Sequence, residues 1–251
     1  MNKLIVIGII CLIIVIILIV LQNNNVDTFN DATNNYATYM EYKKKLLKQP
    51  HSFKSLDKYH ESSPYKVTEG YSKQVTGEVE FLKNLVKSNA IKSVLEIGFN
   101  GGHSAELFLE ENPNTHVTSF DIGIHDYLKV GKDYIDIKYP NRHKLILGNS
   151  LKTIPKYHKN NSNKKFDIIF IDGGHDYEIS WGDLVNCKLL AHKNTIVIMD
   201  DTIYRTDWKQ GWNMGPTKAW LDGINQNIIT EISHTDFKKG RGVSWGNYII
   251  N

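Results

Sequence analysis

Cysteine is nearly absent: the 251 residues contain two, Cys11 and Cys187. They lie far apart, and Cys11 sits inside an apolar run, so a disulfide framework is excluded and the fold must stand on its core. Scarce cysteine also fits a reducing compartment. An excess of one charge is lacking as well, since 30 basic and 27 acidic residues leave a formal charge of +3. There is no concentrated basic stripe of the kind that phosphate backbones select, and nucleic acid is not expected as a partner. Internal repeats are missing. So are a G-x-S-x-G elbow and a cysteine placed as nucleophile, which argues against a covalent enzyme intermediate.

What is present begins with an uninterrupted apolar run over residues 4–21. As a helix at about 1.5 Å per residue it would cover roughly 27 Å of hydrocarbon, enough to span a bilayer. A cleaved signal peptide would need a shorter core and a small-residue cleavage site, and Gln22-Asn23-Asn24-Asn25 offers none. No polar residue marks a solvent face, as a buried core helix would require. Residues 1–21 are therefore read as a single-pass membrane anchor with an uncleaved transmembrane helix. Residues 22–70, rich in Asn, Lys and Tyr, read as a tether with one helical hint between Tyr36 and Leu47. The globular domain is expected over 71–251, where Val75, Val79, Leu82, Leu85 and Val86 open a helical apolar period.

Short β-rich runs then alternate with helical stretches, the pattern of βαβ units and a parallel sheet. Strands are predicted at Ser93–Ile97, His116–Asp121, 144–147, 166–172 and 195–200, and helices at His103–Glu111, 127–137, 151–158 and 177–190. The runs 228–233 and 243–249 flank the turn-rich Lys238-Lys239-Gly240-Arg241-Gly242 and read as a closing antiparallel hairpin.

The segment Val94-Leu95-Glu96-Ile97-Gly98-Phe99-Asn100-Gly101-Gly102-His103-Ser104 carries the strongest signal. A strand runs into a glycine-rich turn and then a helix, where ligand and backbone approach closely. Its E-x-G-x-x-x-G pattern differs from the G-x-G-x-x-G that cradles a dinucleotide pyrophosphate. Asp121 ends the next strand, where a carboxylate can accept from both ribose hydroxyls; an Asp there can equally cap the following segment.

With Gly148-Asn149-Ser150 and the run Phe166 to Tyr177 (F-D-I-I-F-I-D-G-G-H-D-Y), these motifs resemble class I S-adenosylmethionine-dependent methyltransferases. The nearest branch is the small-molecule O-methyltransferase-like group with F-I-D-G-x-H-x-Y after its fourth strand, and the resemblance spans roughly residues 70–250. It implies an α/β, Rossmann-like methyltransferase fold with a mostly parallel seven-stranded sheet and helices on both faces. It further implies that Glu96 and Gly98 face the methionine part of S-adenosyl-L-methionine, that Gly102 opens the first helix beside it, and that Asp121 holds the ribose. Asn149 and Ser150 match the adenine contact.

Asp172 ends the fourth strand and Asp200-Asp201 the fifth, so three carboxylates are candidates for Mg²⁺ or another divalent cation. In catechol O-methyltransferase-like enzymes those places bind the metal, with Asn commonly standing where this chain has Asp201. His175 takes the offset of the family's Lys base and suits proton abstraction from a hydroxyl; it can equally cap the next helix with Tyr177. Tyr204, Trp208, Trp212 and Trp220 fall in what reads as a loop containing Gly211, Gly215 and Pro216, as acceptor walls or, for Trp220, as satellite core.

The expected reaction is direct, in-line methyl transfer to a hydroxyl of a small-molecule or glycan acceptor. Two rivals stand beside it: a type II membrane glycosyltransferase, and a membrane-tethered scaffold that keeps the fold without turnover. Nothing in the sequence fixes an oligomeric state. The side of the membrane is also open, because Lys3 ahead of the span and Asp27 and Asp31 after it favour a cytoplasmic amino terminus, whereas the cofactor is made in the cytosol. The single sequon, Asn160-Asn161-Ser162, offers a test.

Overall fold

The computed structural model describes residues 37–44, 47–48 and 55–250. The expected anchor over 4–21 lies outside the described residues; among the described residues no helix is long and apolar enough to cross a membrane. Residues 37–44 and 47–48 are helical (α1), and they belong to a separate unit that ends at Ser52.

The second unit runs from Phe53 to Asn251. It opens with α2 (Leu56–Ser62), capped by Ser55 and buried through Leu56, Tyr59 and His60. Tyr59 packs 5.1 Å from the Tyr134 ring. A single apolar stripe over seven residues, two of its three members a Tyr and a His, is too short to register as a helical period.

The strands β1 (Ser93–Ile97), β2 (His116–Asp121), β3 (His143–Leu147), β4 (Phe166–Ile171), β5 (Ala191–Asp200), β6 (Ile229–Asp236) and β7 (Gly242–Tyr248) form one sheet in the order β3-β2-β1-β4-β5-β7-β6. The first five pair in parallel, and β7 runs antiparallel between β5 and β6. This is the seven-stranded, mostly parallel sheet expected, with its closing hairpin. The helices are α3 (Thr76–Val86), α4 (His103–Glu111), α5 (Tyr127–Lys138), α6 (Ser150–Asn160), α7 (Tyr177–Cys187) and α8 (Gly211–Asn225). The helix predicted over 177–190 is α7 followed by a 3₁₀ turn at Lys188–Leu190.

Alternation along the strands serves two cores. Ile169, Ile171, Val197 and Met199 share a cluster with Ile154 of α6, Leu184 and Cys187 of α7, and Ala219 and Trp220 of α8. The intervening Phe170 meets Phe108 of α4 edge-on at 5.8 Å, and Phe81 of α3 packs 4.7 Å from Trp245 of β7. Both faces of β4 are therefore buried, and its sequence reads as a nearly continuous apolar run.

Helix α8 overturns the loop read over this stretch. Gly211, Gly215 and Pro216 masked it, yet Gln210 and Asn213 form a reciprocal capping box at its start. Gly215 is set by packing: a Cβ there would lie 2.1 Å from the His175 carbonyl oxygen. Trp220 is core, fully buried with its indole N–H donating to Glu231 at 2.6 Å.

Candidate active site

The carboxyl ends of β1, β2, β4 and β5 open into one cavity of about 510 Å³. In an open parallel sheet, this edge is where loops from adjacent strands part and leave room for a ligand. Gly98, at the end of β1, has φ +93°, and a Cβ there would fall 1.8 Å from the Asp172 carbonyl oxygen. Only glycine lets the β1 and β4 loops touch there. Its amide donates to Phe120 O at 2.8 Å, and the Asp172 amide donates to Ile97 O at 2.9 Å.

Gly98, Asp121, Asn149 and Ser150 line this cavity, as do Asp172, His175 and Asp201. Asp121 accepts from the Asn100 amide at 2.9 Å and from the Gly123 amide at 2.7 Å. Each carboxylate oxygen keeps a lone pair for a ligand hydroxyl. Asn149 caps α6 by accepting from the Leu151 amide at 2.9 Å. Two expected cofactor contacts are not on the cavity wall. Gly102 sits behind it as the left-handed N-cap of α4. Glu96 is fully buried and accepts from Ser104 Oγ at 2.5 Å and from Ser119 Oγ. Its carboxyl is pushed up to about 7 by burial, against which the two serine hydroxyls act. Glu96 therefore braces the glycine turn from below.

The three candidate metal carboxylates divide. Asp172, His175 and Asp201 bring one donor atom each within 4.8 Å of one another. Asp200 does not join them. It is the last residue of β5 and fully buried, and its Oδ2 faces Arg241 Nη2 at 3.2 Å. Asp201 follows in the left-handed region, φ 56°, and successive residues at a strand end project to opposite sides. A pair adjacent in sequence thus serves different neighbourhoods.

His175 Nε2 lies 2.8 Å from Asp201 Oδ2. The hydrogen bond to Asp201 holds the imidazole pKa above its ordinary value, opposed by burial. Burial, and then Asp201, push the Asp172 carboxyl well above the usual carboxylate range. Beyond His175 lies Trp212, its ring 6.2 Å away. Trp208 stands apart under the Arg205 guanidinium at 4.0 Å, and Tyr204 stacks on His234 at 3.7 Å.

Sequence reasoning missed Arg241, Glu78 and Glu69. Arg241, just before β7, reaches Asp200, Glu78 at 3.4 Å, and Asp201, where Nε lies 3.2 Å from Oδ1 in an ion contact rather than an aligned hydrogen bond. Burial opposes its charge, but Asp200, Asp201 and Glu78 outweigh that and raise its pKa. Burial likewise pushes Glu78 up to about 7, with Arg241 acting against it. Glu69 lines the cavity from the segment after α2 and lies 2.9 Å from His125 Nε2. No motif flags any of the three, because each acts through contacts distant in sequence.

Residues 95–202 match the family model described as a methyltransferase domain. No curated protein matches the chain in sequence. Among solved structures, a candidate caffeoyl-CoA O-methyltransferase from Staphylococcus aureus aligns at 19% identity and TM-score 0.59, covering 82% of this chain and 98% of its own. An O-methyltransferase from Bacillus cereus in complex with S-adenosylhomocysteine aligns at 16% and 0.58, covering 82% and 90%. An O-methyltransferase from Streptomyces achromogenes involved in tomaymycin synthesis, in complex with S-adenosylmethionine, aligns at 14% and 0.59, covering 81% and 94%. At these identities the likeness is one of fold. The glycosyltransferase alternative finds no support among these matches. The methyltransferase-domain match lies across β1 to β5, and the glycine turn of β1 opens on the cavity within that matched segment, so in this region the chain is similar to methyltransferase domains.

Proposed function

We propose that the chain transfers the methyl group of S-adenosylmethionine to a hydroxyl oxygen of a small molecule, with His175 as general base. The observation that carries this reading is the His175–Asp201 pair at 2.8 Å, set in the same cavity as Gly98 and Asp121. Gly98 and Asp121 would hold the methionine and ribose parts, and Asn149 and Ser150 the adenine edge. Ile122 and Ile124, 59% and 71% exposed at the cavity, offer apolar faces to the heterocycle. That solved structures of the same fold include O-methyltransferases supports oxygen as the acceptor atom.

With Nε2–H donated to Asp201, Nδ1 is the nitrogen left to take the acceptor's proton. The acceptor oxygen attacks the methyl carbon in line as the carbon–sulfur bond breaks. Sulfur leaves as a neutral thioether, and the proton ends on His175, where Asp201 stabilises the imidazolium. Trp212, beside His175, suits an aromatic or otherwise planar acceptor.

A divalent cation, when bound in such a site, would lower the acceptor's pKa. The donor set fits it poorly. Asp200 points elsewhere, His175 would have to serve as ligand rather than base, and Asp201 already faces His175 with one oxygen and Arg241 with the other. No step is assigned to a metal.

The test is turnover by the full chain with methyl-labelled cofactor against a panel of phenols, sugars and aliphatic alcohols. Label recovered as an O-methyl ether supports the reading. Label on nitrogen or carbon, or none with any acceptor, overturns it.

A further inference from the structure

Four carboxylates, Glu78, Asp172, Asp200 and Asp201, crowd the end of β5, and one permanently charged side chain stands among them. We propose that Arg241 is the resident cation of this site: its guanidinium bridges Asp200 and Asp201 in place of a divalent metal, and methyl transfer proceeds without one. The inference rests on the oxygen-directed reading above, and it gives Arg241 a positioning role, acting on His175 through Asp201.

The guanidinium is built in. Arg241 immediately precedes β7, whose Val243 pairs with Asp200, and the Thr202 amide donates to Gly242 O at 3.1 Å, which fixes the backbone beside the end of β5. Glu78 of α3 receives Nη2, Trp212 of α8 lies 6.0 Å from the guanidinium carbon, and a Cβ on Gly70 would come within 3.3 Å of Nη1. The side chain is 16% exposed. A planar fork of donors suits several carboxylates at once, and it cannot shed its charge.

A metal bound to Asp172 and Asp201 would stand beside that fixed charge. Like charges repel strongly away from bulk water, and a divalent ion doubles the effect of a single charge. Either the guanidinium swings out of its packed contacts or the metal stays out. With the guanidinium in place, Asp201 stays oriented toward His175, and the imidazole is left free to act as a base.

The test is Mn²⁺ titration of the full-length protein with S-adenosylhomocysteine present, followed by electron paramagnetic resonance and calorimetry. Wild type should bind no stoichiometric Mn²⁺, and any turnover should survive excess chelator. Arg241→Gln should gain a single Mn²⁺ site that Asp172→Asn abolishes, whereas Arg241→Lys, which keeps the charge, should not. A stoichiometric Mn²⁺ in wild type, lost on Asp172→Asn, would overturn the proposal. So would an Arg241→Gln protein that still binds S-adenosylhomocysteine but takes up no Mn²⁺. Should Arg241→Gln fail to fold, the wild-type titration decides by itself. Absence of turnover with every acceptor would count against the catalytic reading and leave the Mn²⁺ measurement intact.

Discussion

His175 and Asp201 come from the loops after adjacent strands, β4 and β5, and meet at 2.8 Å through Nε2 and Oδ2. If the imidazole is the base, His175→Ala should lower kcat by roughly 10²- to 10⁴-fold. Binding of S-adenosylhomocysteine should stay unchanged. Asp201→Asn should give a smaller loss in the same direction, because it removes the orienting charge and leaves the ring. Steady-state kinetics and calorimetry check both, and an unaltered kcat in His175→Ala would reduce His175 to a loop support.

Asp121 offers two carboxylate oxygens to the cavity from the end of β2, each steadied by a backbone amide. Asp121→Ala should weaken S-adenosylmethionine binding by roughly 1.5 to 3 kcal/mol, about a tenfold to hundredfold rise in Kd. An unchanged dissociation constant by calorimetry would remove the ribose assignment.

Gly215 lets α8 lie directly on the loop that carries His175. An alanine there would press its Cβ to 2.1 Å from His175 O and 2.7 Å from the Tyr177 amide nitrogen, both backbone atoms. Gly215→Ala should therefore destabilise by about 1 to 3 kcal/mol and lower kcat more than it disturbs cofactor affinity. Denaturant unfolding and kinetics measure the two. A variant with wild-type stability and rate would show that the helix can shift freely.

Glu96 ties stability to pH. Its folded carboxyl sits at about 7 against 4.5 unperturbed, held up by burial. The folded state thus keeps a proton that the unfolded chain sheds, and this contribution, fully present below pH 4.5, is lost as pH rises through 7. The full effect is on the order of 3 kcal/mol. Glu96→Gln, neutral at every pH, should gain stability relative to wild type between pH 5 and 8 in guanidinium unfolding followed by tryptophan fluorescence. A pH-independent difference would contradict the burial argument.

Residues 4–21 are proposed as a membrane anchor. Expressed in a eukaryotic cell, the full chain should stay in the membrane pellet through alkaline carbonate washing, and deletion of residues 1–21 should release it. Full-length protein in the soluble fraction would refute the anchor. Asn160, exposed at the end of α6, reports the side: a glycosidase-sensitive mass shift lost in Asn160→Gln would place the domain in the lumen.

The sequence by itself determined whatever depends on near neighbours along the chain. Short, nearly continuous β-rich runs ending near Gly98, Asp121 and Asp172 located the strand ends, because a strand buried on both faces has few ways to be written. A parallel sheet brings those ends to one edge, where Gly98, Asp121, Asp172 and His175 line one cavity. Tertiary structure alone decided the rest. Asp200 and Asp201, adjacent in sequence, part because the strand stops between them and the chain turns left-handed. Glu96 reads as a ligand contact but lies beneath the turn, since a motif gives the order of residues and not their depth. Helix α8 was hidden by Gly211, Gly215 and Pro216, of which Gly215 lets it approach the His175 loop, an interaction absent from any local window. Arg241 meets Glu78 across 163 positions of chain, and only the folding of β7 against β5 puts a cation where the motifs had shown carboxylates alone.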